Sequence, residues 1–314
     1  MPAVGALKKA DPGCEITVLS PRGLGELWEM FEAADRIITL DKTLHGTVSA
    51  ARKLRELAID LAYILPNSFR SALIPYAAGV SRRLGAAGHN RKWMLTDVVH
   101  PGEGSFHQSL EYFCITGVPA PSGIPGPPSL AIPGEAQKKA TGLLAGSNRP
   151  RIGFMPGAAF GAAKRWPVEY WIDVGKDIAG KGSLDTVIFG LSSEISLCRH
   201  IAGEVDGAVD LSGRTSLAEL AAAMRSCRVI VCNDSGGMHL AAAMGVPVVA
   251  VFGMTDPAKT SPLGEGHTIL AAEDVEHRRD IRKDSAGAVA AMRSVRPERV
   301  LTAIRRYLPA QIAD

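Results

Sequence analysis

The stretch VIVCNDSGGMHLAAAMGVPVVAVFG, residues 229–253, decides the architecture. Val229 to Cys232 is a short β-branched run and Val246 to Phe252 is another, and each has the length and composition of a buried strand. Between them, Met238 to Met244 is too rich in Ala and Leu for a loop and makes a two-turn helix that ends at Gly245. The unit reads strand, polar turn, helix, strand. In an open parallel sheet such turns lie at the carboxyl ends of the strands, where the helix start presents unpaired N–H groups that suit an anion. Asp234 or Ser235 could simply cap the helix, since both are favoured N-caps. Capping explains one residue, whereas Asn233, Asp234, Ser235, Gly236 and Gly237 stand together here, with His239 in the first turn. The grouping favours a ligand site. His239 by itself fits a core position as well as a site.

Outward from this unit the alternation continues. Strands are expected at Arg151 to Met155 and Asp185 to Phe189, with helices at Val168 to Ala179, Ile195 to Ala202 and Leu217 to Ser226. Nearer the amino terminus, strands at Glu15 to Leu19, Arg36 to Leu40 and Leu61 to Leu65 alternate with helical stretches such as Leu44 to Ala58. Between Gly117 and Gly134 the prolines at 119, 121, 125, 127, 128 and 133 leave no room for a regular element. The chain therefore reads as two α/β domains with parallel sheets, residues 1–133 and 134–314, facing each other across a cleft.

The totals exclude several classes. A chain of 314 residues that is 46% hydrophobic and 21% charged is an ordinary globular protein, long enough for two domains. Lys plus Arg exceed Asp plus Glu by 35 − 32 = 3, aromatics are few, and there is no long basic run, so nucleic-acid binding is not expected. Two local basic groups, Arg82, Arg83, His89, Arg91, Lys92 and Arg278, Arg279, Arg282, Lys283, read as solvated faces that an anionic substrate could use. The cysteines at 14, 114, 198, 227 and 232 are scattered without Cys-x-x-Cys spacing, which argues for a reducing compartment and against a structural zinc site. Leu240 to Met254, interrupted by Gly245 and Pro247, falls short of the roughly 18 residues of a membrane span. The first residues place their lysines after the apolar ones, the reverse of a secretory signal. A soluble cytoplasmic protein able to reach a membrane surface is expected.

The second informative segment is RIGFMPGAAFGAAKRWPVEYW, residues 151–171. A strand opens into a glycine-rich loop, then Lys164 and Arg165 precede Pro167, which is well placed to start a helix. Such a loop brings backbone N–H groups to phosphate oxygens and Lys164 adds a charge. The order departs from a P-loop and from Gly-x-Gly-x-x-Gly, so neither that phosphate cradle nor a nicotinamide dinucleotide is indicated. An exposed Lys-Arg pair on an ordinary loop is the plainer alternative. In GLSSEISL, residues 190–197, Glu194 suits ribose hydroxyls or, equally, complements a helix dipole. The loops at 211–217 and 253–262 would complete a pocket for a base and a sugar.

These loops, with LPNSFRSALIPY in the first half, resemble glycosyltransferase family 9, in its heptosyltransferase II branch. The similarity covers nearly the whole chain, with three separated motifs in order. It implies a GT-B fold of two Rossmann-like domains, the acceptor on the first and the nucleotide sugar on the second. It further implies inverting transfer of a heptose from ADP-heptose to the lipid A-core acceptor at the inner membrane surface, with neither metal nor cofactor. Lys164 resembles the lysine that holds the donor diphosphate, and Asp234, Ser235, Gly236 and His239 resemble the family's Asp-[Ser/Thr]-Gly-x-x-His. The sequence has no Asp-x-Asp pair of the kind metal-dependent sugar transferases use.

Two departures qualify the resemblance. Family members begin with a strand and a glycine-rich turn ending in the Asp that serves as catalytic base. MPAVGALKKADPG instead matches the helix that follows, so the first strand is missing from the first domain and the base is expected upstream of Met1. PRGLGEL, residues 21–27, mimics the missing loop, but it follows the second strand, and Glu26 is not taken as the base. In addition, residues 276–292 lack the cysteines common in the branch. Three alternatives stay open: a family member using another nucleotide sugar, a donor-binding remnant inactive for lack of the base, and, disfavoured by the motif order, a sugar-nucleotide epimerase.

Overall fold

The structure, a computed structural model, describes residues 1–102, 106–159, 161–273, 275–277 and 285–309. It divides into two compact units, Met1–Ala131 and Ile132–Asp314, and the division falls inside the proline-rich stretch.

In the first unit the chain runs α1 (Pro2–Ala10), β1 (Thr17–Pro21), α2 (Gly25–Glu29), β2 (Arg36–Leu40), α3 (Leu44–Glu56), β3 (Leu61–Ile64), α4 (Phe69–Ala78), β4 (Arg82–Ala86), β5 (Asp97–Val99) and α5 (Gln108–Thr116). The strand expected at Glu15 begins two residues later because the Ile16 N–H donates to the Asp35 carboxylate at 2.7 Å, outside the ladder. Two parallel ladders result, β1–β2 and β3–β4–β5. One apolar cluster joins them: Ile38 of β2 packs with Ala50, Ala51 and Leu54 of α3 and with Ile74 and Ala78 of α4. Leu19 of β1 and Ala62 of β3 lie against the same cluster. Thus β1 and β3 each keep one edge without a ladder partner among the described residues.

The second unit contains α6 (Gly134–Leu143), β6 (Arg151–Met155), α7 (Val168–Gly180), β7 (Asp185–Ile188), α8 (Ile195–Glu204), β8 (Val209–Asp210), α9 (Leu217–Arg225), β9 (Cys227–Asn233), α10 (Gly236–Ala243), β10 (Val248–Phe252), α11 (Pro257–Thr260), β11 (Thr268–Ala271), α12 (Ala286–Ser294) and α13 (Pro297–Arg305). Its strands form one parallel sheet in the order β11-β10-β9-β6-β7-β8. Alternate residues of the central strands, Ile152, Phe154, Val229, Val231, Val249 and Val251, enter one core with Trp171, Val174 and Ile178 of α7. Burying each large apolar side chain there contributes about 1.5–3 kcal/mol. On the opposite face α9 and α10 pack on β9, so β10 is buried throughout, as a doubly covered parallel strand requires.

The strand order locates the site. From β6 the chain moves outward through β7 to β8, then returns to lay β9 along the other side of β6. The loops leaving β6 and β9 therefore diverge at their carboxyl ends. That reversal is the position at which open α/β sheets bind ligands.

Candidate functional site

The loop after β6 and the polar insert after β9 meet at this reversal. The Asn233 side chain, fully buried at the end of β9, holds both ends of the first loop. Its amide donates to the carbonyls of Pro156 at 2.8 Å and Gly157 at 3.2 Å, while its oxygen accepts from the Trp166 N–H at 3.0 Å. Trp166 anchors the far end by donating its indole N–H to the Val295 carbonyl at 2.7 Å and packing edge-on to Trp171. Between those anchors the single 3-10 turn Gly161–Lys164 lies against α12 and delivers Lys164 to Asp234, with Nζ 2.5 Å from Oδ2. The Asp234 side chain is 7% exposed and that of Lys164 is 17%, so the pair sits at the mouth of the site and is only partly wet.

Ser235 is the N-cap residue of α10, but its hydroxyl makes no cap bond. The capping explanation of the insert therefore fails for Ser235, and Asp234 is turned to Lys164. Gly236 is exposed at the first position of α10, with open space where a Cβ would stand. Gly237 has less room: a Cβ there would lie 2.1 Å from Met155 Cε, so a side chain would require the end of the Met155 side chain to move. The expected helix start at Met238 thus moves to Gly236, because the small residues let the first turn close over Met155. His239 lies one turn into α10 and is exposed, which removes the core reading left open by the sequence.

Glu194 ends the 3-10 turn Ser192–Glu194 after β7 and is buried. One carboxylate oxygen accepts the Leu191 N–H at 2.9 Å. The other faces Gly157 so closely that a Cβ on Gly157 would stand 2.0 Å from it. Glu194 is therefore partly used in its own turn, and it also borders the loop that carries Lys164. The loop after β8 joins the same edge, since the Gly213 N–H donates to the Gly190 carbonyl at 2.9 Å. On the other side, the Asp234 N–H donates to the Val251 carbonyl at 3.3 Å, which ties the insert to β10 and the loop after it. Gly157 and Trp166 carry the architecture without having been singled out in the sequence, and Asn233, named there only as part of the polar insert, is the buried group that holds them. A buried Asn closing an apolar strand was the available signal, because such a group must find partners.

The basic groups fare differently. Arg91 is not part of a solvated face: it is fully buried, with its guanidinium donating to the carbonyls of Ala86, Pro66 and Ser68. A long cation turns inward here because three carbonyls at the ends of β3 and β4 lack ladder partners and need donors. Arg83 is half-buried, bonded to the Met94 carbonyl at 2.6 Å and placed over the Tyr76 ring. Arg82, His89 and Lys92 remain exposed. Arg278, Arg279, Arg282 and Lys283 lie outside the described residues. Among the described residues, no three His, Cys, Asp or Glu side chains are grouped to hold a metal ion, and no helix is long and apolar enough to cross a membrane.

In chemical terms, a helix start with an uncapped first turn and a lysine at the switch point suit an anion with at least two negative charges, one able to compete with Asp234 for Lys164. Known proteins agree with this reading of the fold. The model of glycosyltransferase family 9 (heptosyltransferase) matches residues 47–289. The chain is 33% identical to lipopolysaccharide heptosyltransferase 2 of Escherichia coli K12, over 81% of this chain and 77% of that one. It is 32% identical to lipooligosaccharide heptosyltransferase 2 of Haemophilus ducreyi, over 96% and 93%. The solved structure of the E. coli ADP-heptose lps heptosyltransferase II superposes with a TM-score of 0.81 at 27% identity, covering 98% of this chain and 93% of that chain. The fold class is thus the GT-B class that the sequence motifs implied. Fold, motif order and sequence together establish that this chain belongs to glycosyltransferase family 9, the heptosyltransferases.

Proposed function

We propose that the chain transfers a heptose from ADP-heptose to the lipopolysaccharide inner core, with inversion at the anomeric carbon and without a metal ion. The observation that carries the reading is the convergence of Lys164, Asp234 and the uncapped start of α10 at the switch point of the second unit's sheet. In this reading the donor diphosphate lies over the first turn of α10 and takes Lys164 from Asp234. As the acceptor hydroxyl attacks the anomeric carbon and the sugar–phosphate bond breaks, negative charge grows on the departing ADP. Preplaced N–H groups and the lysine stabilise that charge more than they stabilise the bound donor, which is the condition for rate acceleration. Glu194, beside Gly157, is assigned to the ribose, and His239 and Ser235 to the sugar and diphosphate.

The acceptor is assigned to the first unit. We infer that the catalytic base belongs to a strand and turn preceding α1, inserted between β1 and β3. The unpaired edges of those two parallel ladders, with one core beneath both, support this assignment. Reaction takes place at the cytoplasmic side of the membrane that holds the acceptor.

Calorimetric titration with ADP-, GDP-, UDP- and dTDP-sugars tests the donor, and ADP-heptose should bind most tightly. Transfer to a heptose-deficient core should be slow for the 314-residue chain and be restored by an in-frame upstream strand bearing an Asp. Preference for another nucleotide, or fast transfer by the chain as it stands, would overturn the corresponding assignment.

A further inference from the structure

Two consecutive residues, the last of β9 and the first of the polar insert, address the loop that carries Lys164, and they do so at different points. Asp234 takes the lysine head. Asn233 takes the two ends of the loop, donating to the carbonyls of Pro156 and Gly157 and accepting the Trp166 N–H. Carbonyls can only accept and an N–H can only donate, so the amide has one permitted orientation, and these three bonds all go to the backbone of the loop.

The two ends differ in how else they are fixed. Pro156 and Gly157 follow directly on β6, which is laddered to β7 on one side and to β9 on the other. Trp166 lies outside the sheet, with its indole N–H held by the Val295 carbonyl and its ring set against Tyr170 and Trp171 of α7. The Asn233 amide ties that end back to the sheet, and Lys164 stands two residues before it. At 0% exposure the amide is shut off from water, so a bond lost there is not replaced by solvent. Asparagine suits the position where side chains of similar shape fail. Aspartate would set a carboxylate against two carbonyls, and leucine would fill the space while offering neither a donor nor an acceptor.

In the function proposed above, the donor diphosphate draws Lys164 away from Asp234. From that moment the ion pair no longer holds the loop, whereas the Asn233 bonds persist. We infer that Asn233 is a positioning residue for donor binding: it fixes the path of the loop after β6, so that Lys164 meets the diphosphate of a nucleoside diphosphate sugar already in place. Ordering the loop in advance removes a cost that binding would otherwise carry. The inference rests on the donor reading and adds to it a residue that touches no part of the donor and acts through Lys164.

The test is calorimetric titration of the full chain with ADP, each variant read well below its own melting temperature. At about pH 8, Asn233→Ala and Asn233→Asp should each raise the ADP dissociation constant ~10-fold, close to the effect of Lys164→Ala. Placed in Lys164→Ala, the same substitutions should change it by less than ~2-fold, because the group they position is gone; placed in Asp234→Asn, the full penalty should persist. An asparagine that merely supports the fold weakens binding equally in all three backgrounds, and that result overturns the inference. A rescue gives a second readout. Burial and the two facing carbonyls hold the carboxyl introduced by Asn233→Asp above the ordinary carboxylate range, and once protonated it donates as the amide does. ADP affinity of Asn233→Asp, taken relative to the wild type at the same pH, should therefore recover as the pH falls to about 5.5. Asp234, Glu194, Lys164 and the ADP phosphates are common to both proteins, and the double variant with Lys164→Ala should show no recovery. Should Asn233→Asp fail to fold at the higher pH, Asn233→Ala, which leaves room for water at the carbonyls, carries the comparison. The failures separate. Unchanged ADP affinity in Lys164→Ala overturns the donor reading and this one with it. A weakened Lys164→Ala beside an unaffected Asn233→Ala, or no recovery at low pH, overturns the positioning role and leaves the donor reading standing.

Discussion

The Lys164–Asp234 pair gives opposite expectations for its two partners, and that asymmetry makes it the sharpest test of the proposed donor site. Two unit charges 4 Å apart interact by about 4 kcal/mol at an effective dielectric of 20, before desolvation is counted. Here the atoms are 2.5 Å apart, with Asp234 7% and Lys164 17% exposed. Lys164→Ala leaves a nearly buried carboxylate without its cation, and because the site is partly wet the cost should be about 2–4 kcal/mol, at or below the range for fully buried pairs. For a unit of this size that lowers the melting temperature by roughly 4–16 °C. Asp234→Asn leaves the more exposed partner, which can turn to water, and should cost about half as much.

Binding separates the two further. Lys164→Ala removes a charged hydrogen bond of about 1.5–3 kcal/mol and exposes the incoming diphosphate to an unneutralised Asp234, so the ADP dissociation constant should rise at least ~10-fold. Asp234→Asn removes the competitor for Lys164 and should leave ADP affinity unchanged or tighter, while the double variant falls between. Differential scanning calorimetry with and without saturating ADP, with isothermal titration of each variant, measures all of these terms. A double-mutant coupling near zero without ADP would mean that the pair contributes nothing to the resting site. Unchanged ADP affinity in Lys164→Ala would return Lys164 to the surface and remove the loop after β6 from the site.

Other outcomes follow from the same geometry. Gly157→Ala drives a Cβ into the Glu194 carboxylate and should cost about 1–3 kcal/mol of stability; Glu194→Ala in the same chain should recover most of it, and a failure to recover would show that another neighbour sets the glycine. Arg91→Met leaves the Ala86 carbonyl without its donor and the Pro66 and Ser68 carbonyls with the Ser71 hydroxyl alone, and should destabilise the first unit by about 1–3 kcal/mol, read by denaturant unfolding, with ADP binding unaffected. Burial pushes the Cys198 and Cys227 thiols up from 9.0 to about 12, so a thiol reagent at pH 8 should label exposed Cys114 first and neither buried thiol before unfolding. A raised folded-state value means that stability is intact below about pH 9 and falls as pH climbs toward 12, where the unfolded chain ionises first. The loss should be on the order of 1 kcal/mol per buried thiol at pH 10, and a flat unfolding midpoint between pH 8 and 10 would contradict the burial.

Much of the fold was legible because its signals are local. The β-branched runs at Arg36 to Leu40 and Arg151 to Met155, the left-handed Gly245 and the polar insert after β9 are read within a few residues of themselves, and the structure places them as expected. Lys164 and Asp234 could each be nominated from the chemistry of a loop at a strand end. That they touch across seventy positions could not. Their meeting depends on β9 returning to the side of β6, a choice of strand order that hydrophobic periodicity does not encode, since β6, β7, β9 and β10 are buried along nearly their whole length. The same limit explains Arg91, Glu194 and Gly157. In sequence Arg91 is one cation among five, yet unpaired carbonyls on two loops draw it inside; Glu194 and Gly157 are neighbours only because β7 lies beside β6. Residue type and short-range spacing therefore determined the elements and nominated the chemistry. The tertiary structure decided which nominated groups meet, because desolvation, hydrogen-bond satisfaction and charge pairing act on neighbours in space.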